Sequence, residues 1–156
     1  MNSIVKEDFE LLHGTLGMRG QILDVLSDAD LSFKIAGNPT LGELCVNNGE
    51  VERSYVDSFK TFKQDWSYRN TEAGLATSVA RLKAWLNALD AELDAALSAL
   101  SEEDATGKMI ERGFPVPPKI QVQILIQAQL IFYAKVVVYF NAMGKPLTDQ
   151  LRDWIG

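Results

Sequence analysis

The chain has 156 residues, with one histidine (His13) and one cysteine (Cys45). A single thiol excludes an intramolecular disulfide framework and any zinc site built from several thiolates, and it suits a reducing cytosol. A single imidazole leaves no set of histidines to hold a first-row metal. Positive charge is also scarce. Fifteen Lys and Arg stand against 21 Asp and Glu, giving a net charge of −6 and a pI near 4.8. With no basic stripe and an acidic surface, nucleic acid is excluded as a partner. There is no phosphate-cradling loop, because Gly14-Thr15-Leu16-Gly17 has neither a strand before it nor a lysine after it. The start, MNSIVKEDFELLH, lacks the charged-then-apolar order of a signal peptide. The most apolar stretch, Ile120 to Phe140, is interrupted by Gln121, Gln123, Gln127, Gln129 and Lys135, too polar for a lipid-facing span. The expectation is a cytoplasmic protein that does not enter membranes.

What is present is helical. The 47% hydrophobic and 23% charged residues are ordinary for a globular chain. At this length they predict one domain over residues 1–156. No convincing strand alternation occurs, and four long helical patterns do. In the first, about Lys6 to Val25, Val5, Phe9, Leu12, Leu16, Leu23 and Leu26 share a stripe with Arg19. Gly14, Gly17 and Gly20 weaken this helix by roughly 0.5–1 kcal/mol each relative to alanine. Close helix packing is the compensation expected there. Asn38-Pro39-Thr40 opens a second helix that ends before Tyr68-Arg69-Asn70, with Leu41, Leu44, Cys45, Val51, Tyr55, Phe59 and Phe62 on one face. A third, beginning near Thr71 and Glu72, carries Leu75, Val79, Leu82, Leu86, Leu89, Leu93, Leu97 and Leu100 on one core-facing stripe. A loop with Gly107, Gly113, Pro115, Pro117 and Pro118 is long for antiparallel neighbours and reads as a crossover. The fourth helix, about Lys119 to Met143, is apolar nearly all round and stops at Gly144 and Pro146. Thr148 to Ile155 predicts a short terminal helix. The fold class is therefore all-α: an up-down four-helix bundle with one long crossover and a short C-terminal helix. The fourth helix has more apolar surface than one bundle buries, which predicts a homodimer.

Polar residues on these apolar faces are the candidate site. Gln129 and Tyr133 lie one turn apart on the face that holds Leu125, Ile126, Val136, Val137 and Phe140, so both point into the bundle. Asn48 and Glu52 fall near the centre of the second helix's apolar face. Two readings stand side by side. One is a polar pocket for a small molecule; the other is a hydrogen-bonded network, with Glu52 paired to Arg19, that fixes the helices in register. Glu52 becomes a candidate general base if burial raises its pKa. His13 reads as a satisfied or partly exposed residue, and Cys45 as a small core residue with no cation to activate it. Trp66 and Tyr68 with Lys60, Lys63 and Arg69 read as a packed helix end.

Three stretches together resemble the DinB/YfiT-like superfamily of four-helix bundles. Leu26-Ser27-Asp28-Ala29-Asp30-Leu31 resembles the segment that closes its first helix. Asn38-Pro39-Thr40-Leu41-Gly42-Glu43-Leu44, with Gly49-Glu50-Val51-Glu52, resembles the start of its second. Val136 to Leu147 resembles the end of its last. The resemblance implies dimers and a metal site of three histidines, whose positions fall here on Asn47, Gln129 and Tyr133. Neutral amide oxygens and a phenol bind divalent first-row metals weakly. No cofactor is therefore expected, with weak divalent-metal binding left open. The function that follows is a metal-free small-molecule-binding or scaffold protein with a degenerate metal site. The alternative is a divalent-metal-dependent or thiol-dependent transferase or hydrolase using a non-standard site.

Overall fold

A computed structural model describes residues 1–156. The elements are α1 (Ser3–Glu7), α2 (Phe9–Val25), α3 (Asp28–Leu31), α4 (Leu41–Thr61), a 3-10 turn (Leu75–Thr77), α5 (Val79–Ser98), α6 (Glu102–Thr106), β1 (Ile110–Glu111), β2 (Pro115–Val116), α7 (Pro118–Met143) and α8 (Asp149–Ile155). Local chemistry explains most of the boundaries. Thr40 and Glu43 close a capping box on α4, and Ser27 and Asp30 close another on α3. Pro118 sits at the start of α7, where its missing N–H costs nothing, and Gly144 ends it at φ 68°.

Four long helices form the bundle. The packed neighbours are α2 with α5 and α7, and α4 with α5 and α7, so α2 and α4 face each other across a diagonal. Side-chain pairs fix the directions. His13–Asp94 and Asp24–Lys83 make α2 and α5 antiparallel. Ser58–Gln121 and Asn48–Gln129 do the same for α4 and α7. Arg53–Glu92 past the midpoints of α4 and α5, and Gly42 at the start of α4 against Ala76 just before α5, make those two parallel. The chain therefore runs up, down, down, up. Parallel neighbours require a connection as long as the bundle, and residues 62–78 supply it. That segment returns along α4: Asp65 carbonyl accepts from Ser54, and Asn70 N–H donates to Glu50.

The long crossover thus lies between the second and third bundle helices, not in the loop before the fourth. That loop folds into the small antiparallel pair β1–β2, with Ile110 opposite Val116. Two helix boundaries also differ from expectation. The second bundle helix stops at Thr61, where Phe62 takes the left-handed conformation (φ 57°) with Lys108 Nζ 3.6 Å from its ring centroid. The third starts at the Ser78 cap, not near Thr71.

Close helix packing falls on α4, not on the glycines of α2. A Cβ at Gly42 would overlap the Ala76 carbonyl, and one at Gly49 would overlap the Trp85 ring. At Gly17 and Gly20 a Cβ would meet nothing within 4 Å, and at Gly14 only Trp154 at ordinary contact distance. Two predictions follow from this contrast. Gly17→Ala and Gly20→Ala should each stabilise the protein in urea unfolding, by about 0.5–1 kcal/mol. Gly42→Ala should destabilise it by at least about 1–3 kcal/mol, because backbone and not a flexible side chain must move.

Candidate functional site: a buried polar layer across the bundle

The buried apolar residues fall into two clusters. One gathers Met18, Ile22, Leu44, Cys45, Leu86, Tyr133 and Phe140, and the other Leu12, Leu16, Tyr55, Val56, Leu93, Val122 and Leu125. Near the junction of the two clusters each helix carries polar side chains: Arg19 on α2, Asn48 and Glu52 on α4, Asp90 on α5, and Gln129 on α7. These side chains meet. Arg19 Nη1 donates to Asn48 Oδ1 at 3.0 Å and to Glu52 Oε2, and Arg19 Nη2 donates to Asp90 Oδ1 at 2.6 Å. Asn48 Nδ2 donates to Gln129 Oε1 at 3.0 Å. One guanidinium therefore ties α2 to both α4 and α5, and Asn48 carries the connection on to α7.

Of the expected site residues, Asn48, Glu52 and Gln129 are brought together. Tyr133 is fully buried in the same region, but its hydroxyl donates to the Thr15 carbonyl at 2.6 Å. Asn47 is not in the layer. It is exposed and faces a shallow groove of about 190 Å³ between α4 and α7, which also holds Lys135. Rotation by 100° per residue is the reason: with Cys45, Asn48 and Glu52 inward, position 47 faces out. Asp90 was missed in the sequence. It follows Leu86 by one turn and precedes Leu93 by three residues, so the spacing that places Glu52 inward also places Asp90 at the edge of its leucine stripe.

Burial alone would depress the Arg19 pKa, but Glu52 and then Asp90 outweigh it and hold the guanidinium charged. Glu52 is pushed up to about 7, mainly by burial and further by Asp90, against the opposing pull of Arg19. Tyr133 is raised by burial and stays a neutral phenol. The layer is not closed on itself. Glu52 Oε1 and Gln129 Nε2 are buried without a protein partner. The side chains of Glu52 and Asp90 are 0% and 31% exposed, so the layer reaches solvent on the Asp90 side. There a cleft of about 230 Å³ opens between α2 and α5, with Arg19 and Asp90 in its lining.

The nucleophile candidates are inert. Burial pushes the Cys45 thiol up to about 12. His13 Nε2 pairs with Asp94 at 2.9 Å, and its ring packs on Phe9. Trp66 packs edge-on against Tyr55, with the Arg112 guanidinium beside both rings.

An all-α bundle with this helix order has the fold of a DinB-like protein. The crystal structure of a DinB-like protein, YjoA from Bacillus subtilis, superposes with a TM-score of 0.67 over 86% of this chain and 90% of that one, at 16% identity. At that identity the likeness is one of fold. No protein-family model and no curated protein matches the sequence.

Removing Arg19 should expose what the layer contributes. Arg19→Met leaves Glu52 buried and uncompensated, and should cost about 3–5 kcal/mol in urea unfolding. The double change Arg19→Met with Glu52→Leu should recover most of that loss, because the one carboxylate left without Arg19, Asp90, reaches solvent. The raised pKa of Glu52 has a further consequence. Between its ordinary value of 4.5 and about 7 the folded state binds more protons than the unfolded state, so stability falls as pH rises through that window. Unfolding free energies measured from pH 4.5 to 7.5 should decline, and Glu52→Gln should flatten the decline.

Proposed function

We propose that this chain is a metal-free DinB-like bundle protein of the cytoplasm that serves as a scaffold or small-molecule binder. The observation that carries this reading is the place of Arg19. A buried guanidinium already supplies positive charge among the oxygens of Asn48, Glu52 and Asp90. A divalent cation beside it is repelled by the arginine. The amide oxygens of Asn48 and Gln129 are already accepting hydrogen bonds, and Tyr133 is a neutral donor to a backbone carbonyl. This donor set does not fit a divalent metal, so no catalytic step is derived through one. The transferase or hydrolase alternative has less support, since Cys45 is buried and His13 is paired to a carboxylate and not to a nucleophile.

The test is elemental analysis of the purified protein, with thermal melts against zinc, nickel and manganese. The expected outcome is no stoichiometric metal and no shift of the melting temperature. A bound metal, or a shift that disappears in Asn48→Ala or Gln129→Ala, would overturn the reading.

A homodimer belongs to the same proposal. Along α7, Ile120, Ile131 and Val138 are about half exposed or more, at 48%, 59% and 57%, on a face whose one nearby charge is Lys135. Such a face suits a second copy of the chain. Ile131→Glu is expected to convert a dimer to a monomer in light scattering, without loss of helical signal.

A further inference from the structure

The cleft between α2 and α5 is where Arg19 and Asp90 of the buried layer meet solvent, and its shape is set by what α2 lacks. Gly17 and Gly20 line it, and open space stands where their side chains would be. No packing constraint therefore accounts for two glycines in the middle of a helix. The cleft holds about 230 Å³. That is below the roughly 300–1,000 Å³ of pockets for drug-sized ligands, so an occupant has few heavy atoms.

Both charge signs are available inside it. Arg19 is 2% exposed, and its contacts to Asn48, Glu52 and Asp90 use Nη1 and Nη2. Of its five donors, Nε–H and one hydrogen on Nη2 have no protein acceptor, and together they form the fork that grips a carboxylate. Lys83 lies on the same wall, held only by the exposed Asp24. Asp90 accepts from Arg19 through Oδ1, stands beside Glu52, and is the carboxylate of the layer that reaches the cleft. The side chain of Asn87, between Lys83 and Asp90 on α5, makes no hydrogen bond within the protein. Leu16, Leu23 and Leu86, with His13 at one end, complete the lining.

Charge balance selects among ligands. Arg19 and Lys83 are opposed by Glu52, Asp90 and Asp24, so a net anion adds to existing negative charge. A net cation is repelled by the guanidinium at the floor. A ligand that carries one charge of each sign disturbs neither. We propose that this cleft binds a free α-amino acid with an apolar side chain. Its carboxylate lies on Arg19 and Lys83, its ammonium group on Asp90, and its side chain against Leu16, Leu23 and Leu86. The proposal deepens the small-molecule-binding reading above and rests on it.

The experiment is a titration of the folded, isotope-labelled full chain by two-dimensional NMR. The ligands are leucine, its deaminated counterpart 4-methylpentanoate, and its decarboxylated counterpart isopentylamine. Leucine is expected to shift amide signals of residues 13–24 and 83–94, while each half-ligand binds at least about tenfold more weakly, the worth of one charge-assisted contact. Gly20→Leu fills the cleft without touching Glu52, Asn48 or Gln129, and should abolish the shifts while helical signal is retained. Lys83→Ala should weaken binding by about tenfold and provides the same readout if Gly20→Leu does not fold. No response to leucine at millimolar concentration, equal binding of either half-ligand, or binding that survives Gly20→Leu would each overturn the proposal. Failure here leaves the metal measurement untouched. A metal found on the buried layer would instead overturn the metal-free reading, whether or not leucine binds.

Discussion

Everything in this bundle depends on how one buried positive charge is satisfied. Arg19 enters the interior from α2, where neither of its ionised partners is its sequence neighbour. Glu52 comes from across the diagonal and Asp90 from the adjacent helix. A guanidinium in that position is tolerable only when its donors are met, and meeting them sets the depth and rotation of three helices at once. Asn48 passes the constraint to the fourth through Gln129. The apolar clusters above and below supply the burial energy, but leucine stripes tolerate sliding and rotation. The polar layer does not, because a shift of one residue would leave a charge unpaired.

The same layer bears on chemistry. Two carboxylates share one guanidinium, so the group carries an excess negative charge unless Glu52 takes a proton. Glu52 is the member most sealed from water, which is why its proton affinity rises. A sealed carboxylate cannot meet a substrate directly. Its partners Arg19 and Asp90 line the α2/α5 cleft. The helix that borders the cleft is the one with unfilled glycines, whereas the glycines of α4 are filled by Trp85 and by the returning crossover.

Much of this was legible in the sequence. Three- and four-residue spacing located the long helices. The inward rotation of Asn48, Glu52, Gln129 and Tyr133 followed from the same periodicity, and the pairing of Glu52 with Arg19 was one of the two readings that it left open. Asn47 was misplaced because it came from a resemblance of pattern, in which a one-residue offset turns a side chain by 100° out of the core. The glycines were misassigned for a different reason. A glycine's sequence position does not say whether a neighbour approaches it, and Gly42 looks no different from Gly17 until Ala76 is seen against it. The crossover was assigned to the loop rich in proline and glycine, but the residues that return along α4 are held by Ser54 and Glu50, which carry no local signal of that role.

The sequence by itself determined the helices, their core faces and the presence of buried polar groups, because those follow from periodicity and capping, which act within a few residues. Only the tertiary structure decided which helices run parallel, which groups meet Arg19 and where solvent reaches the layer. Those depend on contacts between residues 29 to 81 positions apart, such as Arg19 with Asn48 and Asn48 with Gln129, and no local rule relates such positions to one another.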